Sequence, residues 1–294
     1  MAEARTVIVT GASRGLGLAT AAHLYGRGWT VLAAMRTPDD GIERIRALTH
    51  APADDARLIA VQLDLDDRGS IATAAQSILD AAGSPDAIVH NAGVAAVGSL
   101  EELPDDVWQQ VLSTNFLGPV RLTRELLPSM RGAGRGRIVV VSSQGAIHGM
   151  PGIGAYSAAK GALERWAESL SQEIAPFGLG VTVLIAGAFK TDMLELTQSY
   201  ADPDGPYGPL HANLERNGRR FLRFAGSPET FAAAVANAVE ERRPFARHGV
   251  GLDAQLLLVG NRVLPARLLQ RVTGAALGLP RPGSLRSHAN GRAS

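Results

Sequence analysis

A doubly wound parallel α/β sheet with helices on both faces is the fold this chain predicts, and three observations predict it. Short β-branched runs alternate with runs of helical period from residue 6 to residue 185, the pattern of successive strand–helix–strand crossovers. Glycine-rich or polar residues directly follow several of the strand runs, at the carboxyl ends where such sheets bind ligands. A further run of helical period at 252–279 adds a C-terminal helical extension.

The 294 residues, 46% of them hydrophobic, suffice to bury one large core. We place the main domain at 1–251 with a covering segment at about 192–226. The amphipathic extension follows at 252–279, and 280–294 reads as a disordered tail of small and polar residues. A net charge of +1 with 19% charged residues leaves no basic face for nucleic acid. With no cysteine in the chain, disulfides, thiolate catalysis and cysteine-ligated metals are excluded, no metal site is expected, and a reducing cytoplasm suits it. The first strand begins too early for a signal peptide, and no apolar stretch approaches the ~18 residues of a membrane span.

Residues 6–10 are the first strand, and Gly11, Ala12, Ser13, Arg14, Gly15, Leu16 and Gly17 form a glycine-rich turn before the helical run 18–27. Strand, turn and helix N-terminus make a phosphate cradle, in which backbone N–H groups and the helix dipole face an anion. The spacing, G-x3-G-x-G, departs from the G-x-G-x-x-G fingerprint, and an ordinary tight turn would look similar. The second strand, 30–35, ends at Met35-Arg36. An acid there would bind the ribose 2′-hydroxyl of NAD, whereas arginine accommodates the 2′-phosphate of NADP. Arg36, with Arg14 as a second cation, therefore favours NADP(H), with NAD the other option; the plainer reading leaves Arg36 merely solvated.

Strands three and four, 58–63 and 86–90, are closed by Asp64-Leu65 and by Asn91-Ala92-Gly93, with helical runs at 42–50 and 70–82. Asp64 and Asn91 thus fall at carboxyl strand ends. A long helical run at 104–130 contains Asn115, a poor helix former that marks either a local break or a polar group placed for use. Strand five, 137–143, ends at Ser143, and a loop at 144–153 leads into the helix that carries Tyr156 and Lys160.

Four residues apart, Tyr156 and Lys160 share one helix face. A phenol titrates near ~10, and a fixed cation beside it lowers that value, so the pair makes an acid/base for neutral pH. Only Lys160 and Lys190 among the 29 basic residues are lysines, which argues that a compact ammonium is needed here. Alone, Tyr-x3-Lys is commonest as a surface pair; the surrounding motifs change its meaning. Strand six, 180–185, precedes Ala186, Gly187 and Thr191.

Together these pieces resemble the short-chain dehydrogenase/reductase family, with its Rossmann-type sheet, from about Thr6 to Thr191 in order and spacing. The resemblance implies that Tyr156 is the general acid/base and that Lys160 lowers its pKa and holds the nicotinamide ribose. It implies that Ser143 binds the substrate oxygen and Asn115 holds a water that relays protons to Lys160. The cofactor residues it implies are Gly11, Ser13, Arg14, Gly15, Leu16, Gly17, Arg36, Asp64, Leu65, Asn91, Ala92, Gly93, Gly187 and Thr191, besides Tyr156 and Lys160. Ser142 is set aside, since strand alternation puts it on the face opposite Ser143. One departure is Ala186 where the family usually has proline, which would loosen that loop. A homodimer or homotetramer is implied, and the general pattern looks most like the hydroxysteroid and retinol dehydrogenase branch.

The covering segment offers Met193, Leu194, Leu196, Tyr200, Phe221 and Leu222 as apolar walls for a hydrophobic alcohol or carbonyl, or simply as core. Ser227-Pro228-Glu229 starts another helix, with Phe231, Val235, Ala238 and Val239 facing the sheet, and 247–251 is the last strand. The extension, interrupted at Gly260 and Pro265, carries Arg262, Arg267 and Arg271. It would cap the pocket, pair with a second subunit or touch a membrane surface as a peripheral contact. The reaction expected is an interconversion of hydroxyl and carbonyl on an apolar ketone, aldehyde, steroid or lipid; the alternative is a non-catalytic dinucleotide-binding redox sensor.

Overall fold

Seven parallel strands form the centre of the computed structural model, which describes residues 5–191, 197–223 and 225–286, and of Phe221 only the backbone. In chain order the elements are β1 (Thr6–Thr10), α1 (Gly15–Gly26), β2 (Thr30–Met35), α2 (Pro38–Thr49), β3 (Leu58–Gln62), α3 (Arg68–Ala82), β4 (Ala87–His90) and β5 (Ala96–Val97). Then come α4 (Asp105–Leu112), α5 (Gly118–Ala133), β6 (Gly136–Ser143), α6 (Gln144–Ile147), α7 (Gly154–Ile174) and β7 (Leu179–Ala186). The last are β8 (Gln198–Ser199), α8 (Gly208–Leu222), α9 (Pro228–Val239), β9 (Phe245–Val250), α10 (Leu252–Val263) and α11 (Ala266–Leu277).

The sheet order is β3-β2-β1-β4-β6-β7-β9, and its direction of growth reverses between β1 and β4. That reversal opens a crevice at the carboxyl ends of these two strands. The strands read as nearly continuous apolar runs because both faces are buried. Val7, Val9, Val31 and Ala33 pack with Phe231 and Val235 of α9 on one face. Ile8, Leu32, Ile88 and Ile138 pack with Ile71, Leu122 and Leu163 on the other.

The structure departs from the sequence expectation in six places. The helix expected over 104–130 is broken: α4 ends at Leu112, a π-helical turn runs Ser113–Leu117, and α5 begins at Gly118. Asn115 lies in that turn, so it marks a real break. The loop expected at 144–153 begins with α6, capped by Ser143, whose hydroxyl accepts from the Gly145 N–H at 3.3 Å. The covering segment contains α8, and β8 pairs with β5 in a second, two-stranded sheet; Met193, Leu194 and Leu196 lie outside the described residues.

The last strand begins at Phe245, two residues early, because pairing of Val181 with Phe245 sets its start despite weak local β-propensity. In the extension only Pro265 interrupts, as the residue capping α11, while Gly260 lies within α10. Of the expected disordered tail, 282–285 form a turn and 287–294 lie outside the described residues. Among the described residues no helix is long and apolar enough to cross a membrane.

Candidate active site

The turn after β1 is folded by contacts that only glycine permits. Gly11 has φ +69°, and a Cβ on Gly17 would stand 2.2 Å from the Gly11 carbonyl oxygen and 2.5 Å from Asn91 Nδ2. Thr10 fastens β4 to this turn: its hydroxyl accepts from the N–H groups of Asn91 and Ala92, each at 3.0 Å. The Asn91 amide donates to the Thr10 carbonyl at 3.0 Å. Not every turn N–H faces a ligand, as the simple cradle would have it, because those of Gly11 and Ala12 donate to the Ala34 carbonyl. The anion-facing part is the start of α1, which has no side-chain cap and no acid in its first turn, so its dipole is left for an external anion.

The remaining cofactor candidates border this crevice. Arg14 and Arg36 are exposed, on the turn and at the end of β2. A Cβ on Gly15 would lie 3.5 Å from Thr191 Cβ, so the loop after β7 faces the glycine turn. Asp64 Oδ1 accepts from the Asp66 N–H at 3.0 Å, and Leu65 is buried, with its side chain in the core. A glycine turn without bulk, an uncapped helix start and two exposed arginines match the donors that a dinucleotide needs, so the residues present fit that group.

Tyr156 and Lys160 lie one turn apart on α7, behind the ends of β4 and β6. The Ser143 side chain is near enough to act on the Tyr156 phenol. Lys160 Nζ donates to the Val141 carbonyl at 2.8 Å and stands 5.8 Å from the Tyr156 ring centroid. Burial raises the phenol above its ordinary 10.0, and the nearby Ser143 hydroxyl offsets part of this. Burial also brings the Lys160 ammonium down from 10.5 to about 8, against the Glu164 charge, which raises it. The expected depression of the Tyr156 pKa is therefore not present in this state: desolvation raises the phenol, and the Lys160 ammonium gives its hydrogen bond to the strand.

Asn115 is fully buried and braces the loop after β4. Its amide oxygen accepts from the Val94 N–H at 3.0 Å, and its amide nitrogen donates to the carbonyls of Val94 at 2.7 Å and Val111 at 2.9 Å. Gly93 is held between these groups, since a Cβ there would lie 2.6 Å from Asn115 Oδ1 and 3.6 Å from Lys160 Nζ. The side chain thus positions the loop beside Lys160.

Replacing proline by Ala186 does not leave the following loop loose. The Gly187 N–H donates to the Val250 carbonyl at 2.9 Å and the Ala188 N–H to Asp253 Oδ2 at 2.7 Å. The Lys190 N–H donates to the Gly226 carbonyl at 3.0 Å. Asp253 passes so close that a Cβ on Gly187 would meet its Oδ1 at 2.0 Å.

Sequence reasoning missed several polar groups around the site. Glu164, one turn beyond Lys160, is buried; its Oε1 accepts from Ser142 and its Oε2 from Arg247, both at 2.6 Å. Its i+8 spacing from Tyr156 was the available signal. His90 is buried beside Asn91, with Nε2 2.8 Å from Thr123 Oγ1; burial first, then the Lys160 charge, takes it down to about 3. Asp253 left no sequence signal. His211 of α8 meets Glu102 at 2.7 Å, and the Asp202 N–H donates to the same carboxylate at 3.1 Å, which fastens the covering segment over the loop after β5. His148, which the sequence offers as lining the substrate mouth or, more simply, as a loop histidine, meets Thr273 of α11 at 2.9 Å, on a cavity of about 330 Å³ lined also by Met150, Gln270, Leu277 and Leu279.

Comparison with known proteins adds to this geometry. The short chain dehydrogenase family model matches residues 5–201. The uncharacterized oxidoreductase YbbO of Escherichia coli K12 is 33% identical over 272 residues, 91% of this chain and 93% of that protein. A 3-ketodihydrosphingosine reductase of Bacteroides thetaiotaomicron is 31% identical over 278 residues, 91% of this chain and 96% of that one. The crystal structure of a short-chain dehydrogenase from Streptomyces avermitilis superposes with a TM-score of 0.78 at 33% identity, over 95% of this chain and all (100%) of that one.

Proposed function

This chain belongs to the short-chain dehydrogenase family, and from that premise we propose an NADP(H)-dependent oxidoreductase that interconverts a hydroxyl and a carbonyl on an apolar substrate. The observation that carries the proposal is Tyr156 with Lys160 one turn away on α7, the Lys160 ammonium 5.8 Å from the phenol ring and next to Gly93 beyond the end of β4, with Ser143 near enough to act on the phenol. A bound nicotinamide supplies or takes the hydride. The chain supplies the rest. Ser143 and Tyr156 present hydroxyls to the substrate oxygen; in reduction Tyr156 protonates it, and in oxidation Tyr156 removes its proton. The Lys160 ammonium, mostly charged at pH 7 with a pKa of about 8, stabilises the phenolate left behind.

Gly11, Ser13, Gly15, Leu16, Gly17 and the start of α1 would hold the pyrophosphate, and Arg14 and Arg36 the 2′-phosphate that favours NADP over NAD. Asp64, Leu65, Asn91, Ala92 and Gly93 would border the adenosine, with Gly187 and Thr191 at the carboxamide. Asn115 acts through the loop it braces, and through its backbone it is the candidate to hold the relay water. Support for an apolar substrate comes from Met150, Leu277 and Leu279 on the cavity under α11, and from a relative named for reducing a ketosphingoid lipid. The same reading includes a homodimer or homotetramer and a cytoplasmic setting.

A panel of long-chain ketones, aldehydes, hydroxysteroids and their alcohols tests it, with nicotinamide absorbance as the readout. Net NADPH consumption or formation with an apolar member is expected. Dinucleotide binding without turnover of any member would support the redox-sensor alternative.

A further inference from the structure

The extension that sequence left with three roles presents its apolar stripe to solvent. Leu252, Leu256, Val259 and Val263 recur at i, i+4, i+7 and i+11, which places them on one side of α10. They are 72%, 63%, 58% and 69% exposed, while Ala254 and Leu258 of the same helix face the core. In α11 the pattern repeats: Leu268 and Val272 are exposed and Leu269 is buried. So many large apolar side chains on two successive helices exceed the scattered singles of an ordinary surface.

The charge around the stripe says what covers it. Residues 254–286 contain Arg262, Arg267, Arg271, Arg281 and Arg286 and no Asp or Glu. This +5 stands in a chain whose total is +1, so the rest sums to −4. A second copy docked through this face would set Arg262, Arg267 and Arg271 of the two helices against their own counterparts, whereas an anionic surface would meet each with opposite charge. An apolar stripe flanked by arginines, on helices too short to span, matches a helix lying in the headgroup region.

We propose that α10 and α11 are a docking surface for an anionic lipid bilayer. The opposite side of α11 lines the cavity at His148 and Met150, so the docked protein would hold that cavity near the membrane, where an apolar substrate partitions. The docking itself does not depend on the catalytic reading, because binding needs no turnover.

Cosedimentation of the full chain with vesicles tests this. Phosphatidylcholine vesicles containing an equal part of phosphatidylglycerol should bind at least about tenfold more tightly than phosphatidylcholine alone, and added salt should weaken the binding. The double variant Leu256→Asp with Val263→Asp should lose it while melting temperature and dinucleotide binding stay unchanged. The triple variant R262E/R267E/R271E, which alters only exposed charges, should lose it too. Equal binding to both vesicles, binding to neither, or a dimer in light scattering that the double variant dissociates would each overturn the proposal.

Discussion

The Ser142 hydroxyl donates to the Glu164 carboxylate at 2.6 Å, while its neighbour Ser143 turns to the opposite face of β6, on the side of Tyr156. Strand alternation separates the two serines, one to brace and one to face the crevice. Glu164 also accepts from Arg247 of β9 at 2.6 Å. Its charge acts on Lys160, one turn earlier in α7, and raises the ammonium's pKa.

Glu164→Gln therefore tests a positioning residue that touches neither crevice nor phenol. Removing its charge should let Lys160 titrate below about 8, so the alkaline fall of turnover moves to lower pH. Stability should drop by about 1–3 kcal/mol, because Arg247 loses its ionic partner. A lowered stability with an unmoved pH profile of kcat would reduce Glu164 to a structural role.

His90 makes stability depend on acid pH. Its folded-state pKa of about 3 lies below the ordinary 6.5, so the unfolded chain binds the extra proton first. Its contribution is complete above pH 6.5 and is lost progressively as pH falls towards 3. The difference in urea-unfolding free energy between wild type and His90→Asn should shrink or reverse over that window, by several kcal/mol. A pH-independent difference would contradict this.

Arg36→Asp should exchange 2′-phosphate recognition for 2′-hydroxyl recognition. The ratio of kcat/KM for NADPH over NADH should fall by about tenfold or more, the scale of one lost charge-assisted contact. An unaltered ratio would leave Arg14 or another group as the discriminator.

Much of this was legible in the sequence because it depends on local spacing. The β-branched runs placed the strands of the main sheet within a residue or two, and Ser227 caps α9 as read, accepting from the Thr230 N–H at 3.4 Å. What escaped depends on partners distant in the chain. Val181 fixes where β9 begins, and Arg247 gives Glu164 its reason to be buried. Asp253 secures the loop that lacks its proline from 65 residues away. The burial that raises the Tyr156 phenol was not legible either, because helical spacing gives proximity to Lys160 but not depth.

Single-turnover hydride transfer by Tyr156→Phe, measured beside dinucleotide affinity, tests the central claim most directly. Phenylalanine keeps the ring and removes only the proton-bearing hydroxyl, so dinucleotide affinity should stay within about twofold while hydride transfer falls by at least about a hundredfold. Transfer at the wild-type rate with the cofactor bound would contradict the assignment of proton transfer to Tyr156.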